Sequence, residues 1–313
     1  MIEIEITSND AGQRLDRFLK KYLKRAPLSG IYKIIRKDLK LNGKRAKEDT
    51  ILEEGDRLNL YITDERFNEL TRQVKNRRAK RQFRIAYEDE NVLIVEKPMG
   101  LLTHGDSHEK KNTLMNQVCG YLQDKGEFDP SREKSFTPSP VNRLDRNTTG
   151  LVIFGKTAEG LRQLTRLIRQ REAIRKFYIT IVAGDFAQEL VIDSALSKNA
   201  RTNTVSVDEA GQHARSIVRP LKVHKSGRYS LVEVELVTGR THQIRAHLAS
   251  EGYPLVGDSK YGVKSKAATT QLLHACRLEF GDIPKEMDAL TRLGGMKITA
   301  DVPDNFKRVW DSL

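Results

Sequence analysis

Cysteine is almost missing: of 313 residues only Cys119 and Cys276 are cysteines, and no Cys-x-x-Cys pair exists. A disulfide framework and a cysteine-built zinc site are thereby excluded, and reduced thiols are expected. Long apolar runs are missing too, so no segment suffices to span a bilayer. The opening Met1-Ile2-Glu3-Ile4-Glu5-Ile6 alternates like a strand and lacks the basic flank and apolar centre of a secretory signal, which makes the cytoplasm the expected location. There is no phosphate-cradling glycine loop, dinucleotide fingerprint or repeat of fixed period, so neither a nucleotide cofactor nor a solenoid is expected. His242 and His247 stand five apart, not the four that puts two imidazoles on one helical face, and the other histidines are scattered, so no metal site is expected. Acid is scarce where base is dense. Residues 11–45 carry twelve Lys or Arg against two acids, and 72–84 carry further Lys and Arg with no acid at all. With a net charge of +13, the chain calls for a polyanionic partner, which charge alone does not resolve into nucleic acid or an acidic membrane surface.

What is present is a globular composition, 38% hydrophobic and 31% charged, long enough for one large core plus a small extra domain. Residues 1–62 read as that small domain. Asp10 is the expected cap of a helix with Leu15, Phe18, Leu19, Tyr22 and Leu23 at helical spacing, leaving Arg14, Arg17, Lys20 and Lys21 on or beside its other face. A second helix joins Ile31, Tyr32, Ile34 and Ile35 with Lys33, Arg36 and Lys37, and Asn42-Gly43 then signals a hairpin. Such clustering without compensating acids favours phosphate contact over a merely solvated face. Residues 63–84 read as a basic linker, partly helical, whose Arg77-Arg78-Ala79-Lys80-Arg81 run is either a tail ordered by a polyanion or a tether. From residue 85 to 313, strands and turns with interspersed helices predict an α+β domain around an extended mixed, mainly antiparallel sheet. Thr157 and Thr241 are the expected caps of two of those helices, and residues 86–91 are expected to form a turn.

Within that domain one stretch stands out: Val141-Asn142-Arg143-Leu144-Asp145-Arg146-Asn147-Thr148-Thr149-Gly150-Leu151. Turn formers separate a Pro-containing lead-in from the apolar run 151–154, which reads as a buried strand, so Asp145 sits on a tight turn at the mouth of a sheet. Alternation in the lead-in would turn Leu144 inward and Arg143 and Asp145 toward a cleft. On these residues alone, a solvated ion pair remains the simpler account of an Asp between two arginines.

The stretch resembles the Arg-Leu-Asp-x-x-Thr-Ser-Gly signature of the RluA-type pseudouridine synthases, and two further matches follow in that family's order, Arg175-Lys176-Phe177-Tyr178 and Thr238-Gly239-Arg240-Thr241-His242-Gln243-Ile244-Arg245. The likeness is nearest to the C-type branch acting on large-subunit (23S) ribosomal RNA. Asn142 stands where His is usual and Thr149 where Ser is commoner. The resemblance implies the pseudouridine synthase fold, an N-terminal αL-type RNA-binding domain at 1–62, and a catalytic domain at 85–313 that begins with Lys97-Pro98. It implies that the N1–C1′ bond of a uridine is broken, the uracil turned and C5 joined to C1′, without cofactor. Asp145 would be the catalytic carboxylate, either attacking C1′ or removing the 2′ proton. Arg245 would be its permanently charged partner, because an anion in a pocket that excludes water requires a cation. Tyr178 would stack on the base and help with the C5 proton. Arg143, Arg146 and Arg240 would hold the flanking RNA, the basic N-terminal helices would add a second grip, and the protein would be a monomer. Two other readings stay open: a transfer-RNA pseudouridine synthase, and a non-catalytic RNA-binding factor of ribosome assembly.

Overall fold

The computed structural model describes residues 1–313 except 72–78, 134, 171–172, 200, 264 and 267. The alternating start forms β1 (Ile2–Glu5), and α1 (Leu15–Tyr22) and α2 (Leu28–Lys37) follow, with Leu15, Phe18, Leu19, Ile31, Ile34 and Ile35 buried as their spacing demands. β2 (Leu39–Leu41) turns back through Asn42 and Gly43, both at positive φ (49° and 78°), the pair of left-handed residues that a two-residue hairpin needs. β3 (Arg57–Leu60) lies between β1 and β2 in a three-stranded sheet with an apolar core of its own.

Asp10 does not cap α1. The chain turns at Gly12 (φ 71°), the helix starts after Arg14, and the buried Asp10 instead accepts from Ser135 N (2.8 Å) and Ser135 Oγ (2.6 Å). Asn9 Oδ1 accepts from Ala158 N at 2.8 Å, and Gln13 Nε2 donates to Ser135 Oγ at 2.6 Å. The turn before α1 is thus clipped to the larger sheet domain by polar groups that are worth little in water and more when buried. In the basic segment, α3 (Asp64–Thr71) is helical, residues 77 and 78 of the expected run lie outside the described residues, and Arg81 is stacked 5.0 Å from the rings of Phe83 and Tyr121.

The remaining elements are β4 (Arg84–Glu88), β5 (Val92–Lys97), α4 (Leu114–Asp124), β6 (Ser139–Pro140), β7 (Thr149–Gly155), α5 (Ala158–Arg169), β8 (Ile174–Ala183), β9 (Leu190–Asn199), β10 (Thr204–Val207), β11 (Gln212–Val223), β12 (Tyr229–Leu236), α6 (Gln243–Ser250), β13 (Leu273–Phe280), a 3-10 helix (Asp288–Leu293), β14 (Lys297–Thr299) and α7 (Asp304–Ser312). They build an 11-stranded sheet ordered β10-β9-β11-β12-β8-β13-β7-β5-β4, with β14 on β13 and β6 on β7. All its strand pairs are antiparallel except β7 with β13, so the expected mixed, mainly antiparallel sheet is what forms. β5 and β7 are apolar at every other position on both sides: Leu93, Val95, Val152 and Phe154 pack under α4, while Val92, Ile94, Leu151 and Ile153 pack under α5 and the 3-10 helix.

Two further sequence expectations change. β4 runs through 84–88, so the turn is confined to 89–91, where Asp89 Oδ1 accepts from Asn91 N and Val92 N. The residue capping α6 is His242, in the left-handed region (φ 52°), not Thr241. The C-terminal segment forms the 3-10 helix, β14 and α7, the last burying Phe306 and Val309, with Trp310 and Leu313 packed beside them at helical spacing. Thr157 does cap α5, accepting from Gly160 N at 3.0 Å.

His247, on α6, is fully buried between Ser194 Oγ (3.2 Å) and Ser216 Oγ (3.1 Å). Burial pulls its pKa from 6.5 to about 4, against the pull of Asp193. The unfolded imidazole takes a proton below about 6.5 and the folded one refuses it until about 4, so stability drops as pH falls through that window, by up to about 3 kcal/mol. Urea unfolding between pH 7 and 4 checks this; a pH dependence unchanged in His247→Asn would assign the effect to other groups.

Candidate active site

Two buried side chains clamp the backbone on either side of Asp145. Thr103 Oγ1 donates to Leu144 O (3.0 Å) and accepts from Leu144 N (3.2 Å). Lys97, which ends β5 and is 1% exposed, donates from Nζ to Arg146 O (3.0 Å), Leu101 O (2.8 Å) and Pro98 O (2.9 Å). Three converging carbonyls are what make a buried lysine tolerable there. Burial draws its ammonium down to about 7, with the charge of Asp145 acting the other way. Leu144 is buried and Arg143 exposed, as alternation predicts. Behind the turn, Gly150 (φ 107°) of β7 lies so close to β13 that a Cβ would overlap the Ala275 carbonyl, so only glycine fits.

The carboxylate of Asp145 is therefore free of anchoring duty, and it meets Arg245 from α6. Arg245 NH1 donates to Asp145 Oδ2 at 2.9 Å, while Nε and NH2 fork Asp258 at 2.6 and 2.8 Å. Asp258 is buried; burial would push its carboxyl up, but Arg245 and the N–H groups of Lys260 and Tyr261 hold it below the usual carboxylate range. One guanidinium thus has two edges fixed by a buried fork and one nitrogen presented to Asp145. His242 Nε2 stands 3.7 Å from the same Asp145 oxygen. Tyr261 Oη accepts from Val205 N (2.6 Å), so its proton is available to His242 Nδ1 (2.9 Å), and this network assigns the remaining imidazole proton to Nε2, facing Asp145. Burial, chiefly, lowers the His242 pKa, which keeps the ring neutral near pH 7.

Tyr178 on β8 is buried and lines the same pocket as Asp145 and Arg245. Burial first, then the Asp145 charge, pushes its phenol well above the ordinary value. The ring face and a neutral hydroxyl are what it offers, and a phenolate base is disfavoured. The space directly over Asp145 is about 50 Å³, and Arg143, Tyr178, Leu236 and Arg240 line both it and a neighbouring cavity of about 510 Å³.

Of the cations expected to hold RNA, Arg143 and Arg240 line this cleft, and Arg240 Nε also donates to His213 O (3.1 Å). Arg146 pairs with Asp106 at 3.3 Å on the surface. On the N-terminal helices, Arg14 is engaged by Asp16 (2.9 Å), Lys21 donates to Gln13 (2.9 Å) and Arg36 to Tyr32 O (3.2 Å). Arg17, Lys20, Lys33 and Lys37 are exposed, with no ion pair among the described residues.

The sequence profile of the RNA pseudouridylate synthase family matches residues 91–250, which hold the Asp145 turn, Tyr178 and Arg245. Over 289 residues, 88% of this chain and 87% of the relative, it is 32% identical to a ribosomal large subunit pseudouridine synthase C of Vibrio parahaemolyticus. The chain belongs to the RNA pseudouridylate synthase family. An uncharacterized RNA pseudouridine synthase of Mycoplasma capricolum is 31% identical across 98% of this chain and all of its own length. Among solved structures, Human RNA Pseudouridylate Synthase Domain Containing 4 superposes with a TM-score of 0.54 at 20% identity, covering 72% of this chain and 91% of that one, which establishes the shared fold.

For an RNA pseudouridylate synthase the two departures from the signature are mild. Asn142 Oδ1 accepts from Ile153 N (2.8 Å) and Nδ2 donates to Leu151 O (3.3 Å), so this side chain ties the lead-in to β7. Thr149 keeps the hydroxyl that Ser would bring, bonded to His274 Nδ1 at 2.8 Å. Reading the sequence missed Asp258, His242 and Tyr261. The pattern Gly257-Asp258-Ser259-Lys260-Tyr261 looks like an ordinary turn, and nothing local reveals that its acid crosses to α6. No helix among the described residues is long and apolar enough to cross a membrane.

Proposed function

We propose that this enzyme isomerises specific uridines of large-subunit ribosomal RNA to pseudouridine, with Asp145 as the carboxylate that acts on the sugar. The contact that carries the reading is Arg245 NH1 to Asp145 Oδ2 at 2.9 Å, beside Tyr178 in one pocket. Charge develops on the ribose as uracil leaves, and a fixed carboxylate within reach stabilises it, whether by adding to C1′ or by taking the 2′ proton. Arg245 holds that carboxylate and aims it. The Tyr178 ring gives the released uracil a face to turn against before C5 meets C1′. Product and substrate are isomers, so the reaction as written needs no cofactor. Ribosomal RNA is favoured over transfer RNA by the names of relatives that share nearly the whole chain. Tritium release from uridine labelled at C5, compared between transcripts of large-subunit ribosomal RNA and of transfer RNA, tests the reading; release from transfer RNA alone would reassign the substrate, and release from neither would favour a non-catalytic assembly factor.

Within the same reading, residues 1–62 form an αL-type RNA-binding domain joined by the linker 63–84 to the catalytic domain 85–313, in a monomer working in the cytoplasm. Its exposed Lys and Arg grip RNA phosphates away from the pocket, offsetting the few kcal/mol that extruding a stacked uridine costs. Lys33→Gln, Arg36→Gln and Lys37→Gln combined are expected to weaken RNA binding and to reduce the slope of log affinity against log salt by about 2. An unchanged slope in a filter-binding titration would remove these side chains from the RNA interface.

A further inference from the structure

The cavity of about 510 Å³ beside the Asp145 pocket has an unusual wall. Arg143, Arg169, Lys176 and Arg240 line it, and no Asp or Glu among the described residues does. Elsewhere the sheet neutralises its cations: Arg175 pairs with Glu235 and Glu279, Arg219 with Glu189 and Glu235, and Arg277 with Glu233 and Glu279. Arg175 and Lys176 are neighbours on β8, so alternation sends them to opposite faces. Arg175 enters that carboxylate network, while Lys176 shares the cavity face with Tyr178, two residues on. Lys176 is only 9% exposed, yet its ammonium makes no hydrogen bond or ion pair among the described residues.

A lysine buried without a partner is costly to a fold, and three donors held beside an open cavity demand an acceptor. Burial accordingly pulls its ammonium below the ordinary lysine value. A uracil edge would be served by neutral donors and acceptors. Four cations with no acid among them suit a phosphate instead. The volume lies within the roughly 300–1,000 Å³ of sites that take small-molecule-sized groups.

We propose that this cavity binds the nucleotide next to the uridine held at Asp145, and that Lys176 pairs with its backbone phosphate. The inference rests on the reading that RNA is isomerised at Asp145, and it adds a substrate-positioning cation in the Arg175-Lys176-Phe177-Tyr178 segment. Arg143 and Arg169 close over the phosphate from the exposed rim, so the uridine arrives with its sugar already placed.

The test uses full-length enzyme and a large-subunit ribosomal RNA transcript, with Lys176→Met and Lys176→Arg. Methionine has similar length without charge, so Lys176→Met relieves the unpaired burial and is expected to raise Tm. The same variant is expected to bind RNA about tenfold more weakly at low salt and to lose about 0.7 from the salt slope, with KM raised and kcat near wild type. Lys176→Arg should retain the slope. A slope and KM identical to wild type in a folded Lys176→Met protein would overturn the proposal, and so would a lowered Tm with unchanged RNA binding, which marks a purely structural lysine. If the wild type releases no tritium, the catalytic reading fails by itself, while the salt slope still decides whether Lys176 touches RNA phosphate.

Discussion

Asp145→Asn is expected to abolish tritium release from C5-labelled uridine, a loss of at least about 10⁴-fold, while leaving the protein folded and able to bind RNA. The substitution keeps size and one oxygen, so Arg245 NH1 still has an acceptor. What disappears is the negative charge, and with it both the nucleophile and the base that the sugar chemistry could use. The fold should survive because the turn is held through main-chain atoms of Leu144 and Arg146, by Thr103 and Lys97, and not through the carboxylate. A Tm within a few degrees of wild type, RNA affinity within a fewfold, and no tritium above background is the expected set. Wild-type turnover by this variant would end the assignment of Asp145.

Asp258→Asn should be the more damaging to the fold. Its carboxylate takes two charge-assisted bonds from Arg245 and two backbone donors from Lys260 and Tyr261, all out of water. An amide at that position turns a donor toward one of those N–H groups and leaves the guanidinium under-compensated. Breaking one side of a buried pair costs about 3–5 kcal/mol, or roughly 10 °C in Tm for a chain of this size. Arg245 would also lose the fork that aims it, and an ångström of misplacement costs about 10²-fold in rate. The variant is therefore expected to be unstable and slow, yet measurably active at low temperature. That residual activity separates a positioning acid from the reacting one. Equal stability and rate to wild type would show that Asp145 alone suffices to place Arg245.

How much of this was readable beforehand follows the range of the interactions. Helix spacing in α1 and α2, the Asn42-Gly43 hairpin and the buried run of β7 are local patterns, and each forms as its residues dictate. The meeting of Asp145 with Arg245 was implied only by the family likeness, because the pair is 100 positions apart and no periodicity links them. Asp258 and Tyr261 carried no local signal, since their partners lie on α6 and at the start of β10. The cap of α6 was misplaced by one residue because a left-handed histidine is a tertiary outcome, held by its bond to Tyr261. Asp10 was misread for the same reason, its acceptor oxygens being spent on Ser135 in another part of the chain.

The one parallel pair of strands among the described residues, β7 against β13, joins Thr149 and Gly150 to His274 and Ala275. More than a hundred residues separate those two strands, so during synthesis the edge beside Asp145 stays unpaired until β13 has been made. A polypeptide stopped before β13 would therefore leave this edge of β7 open, with the turn that carries Asp145 beside an unpaired strand.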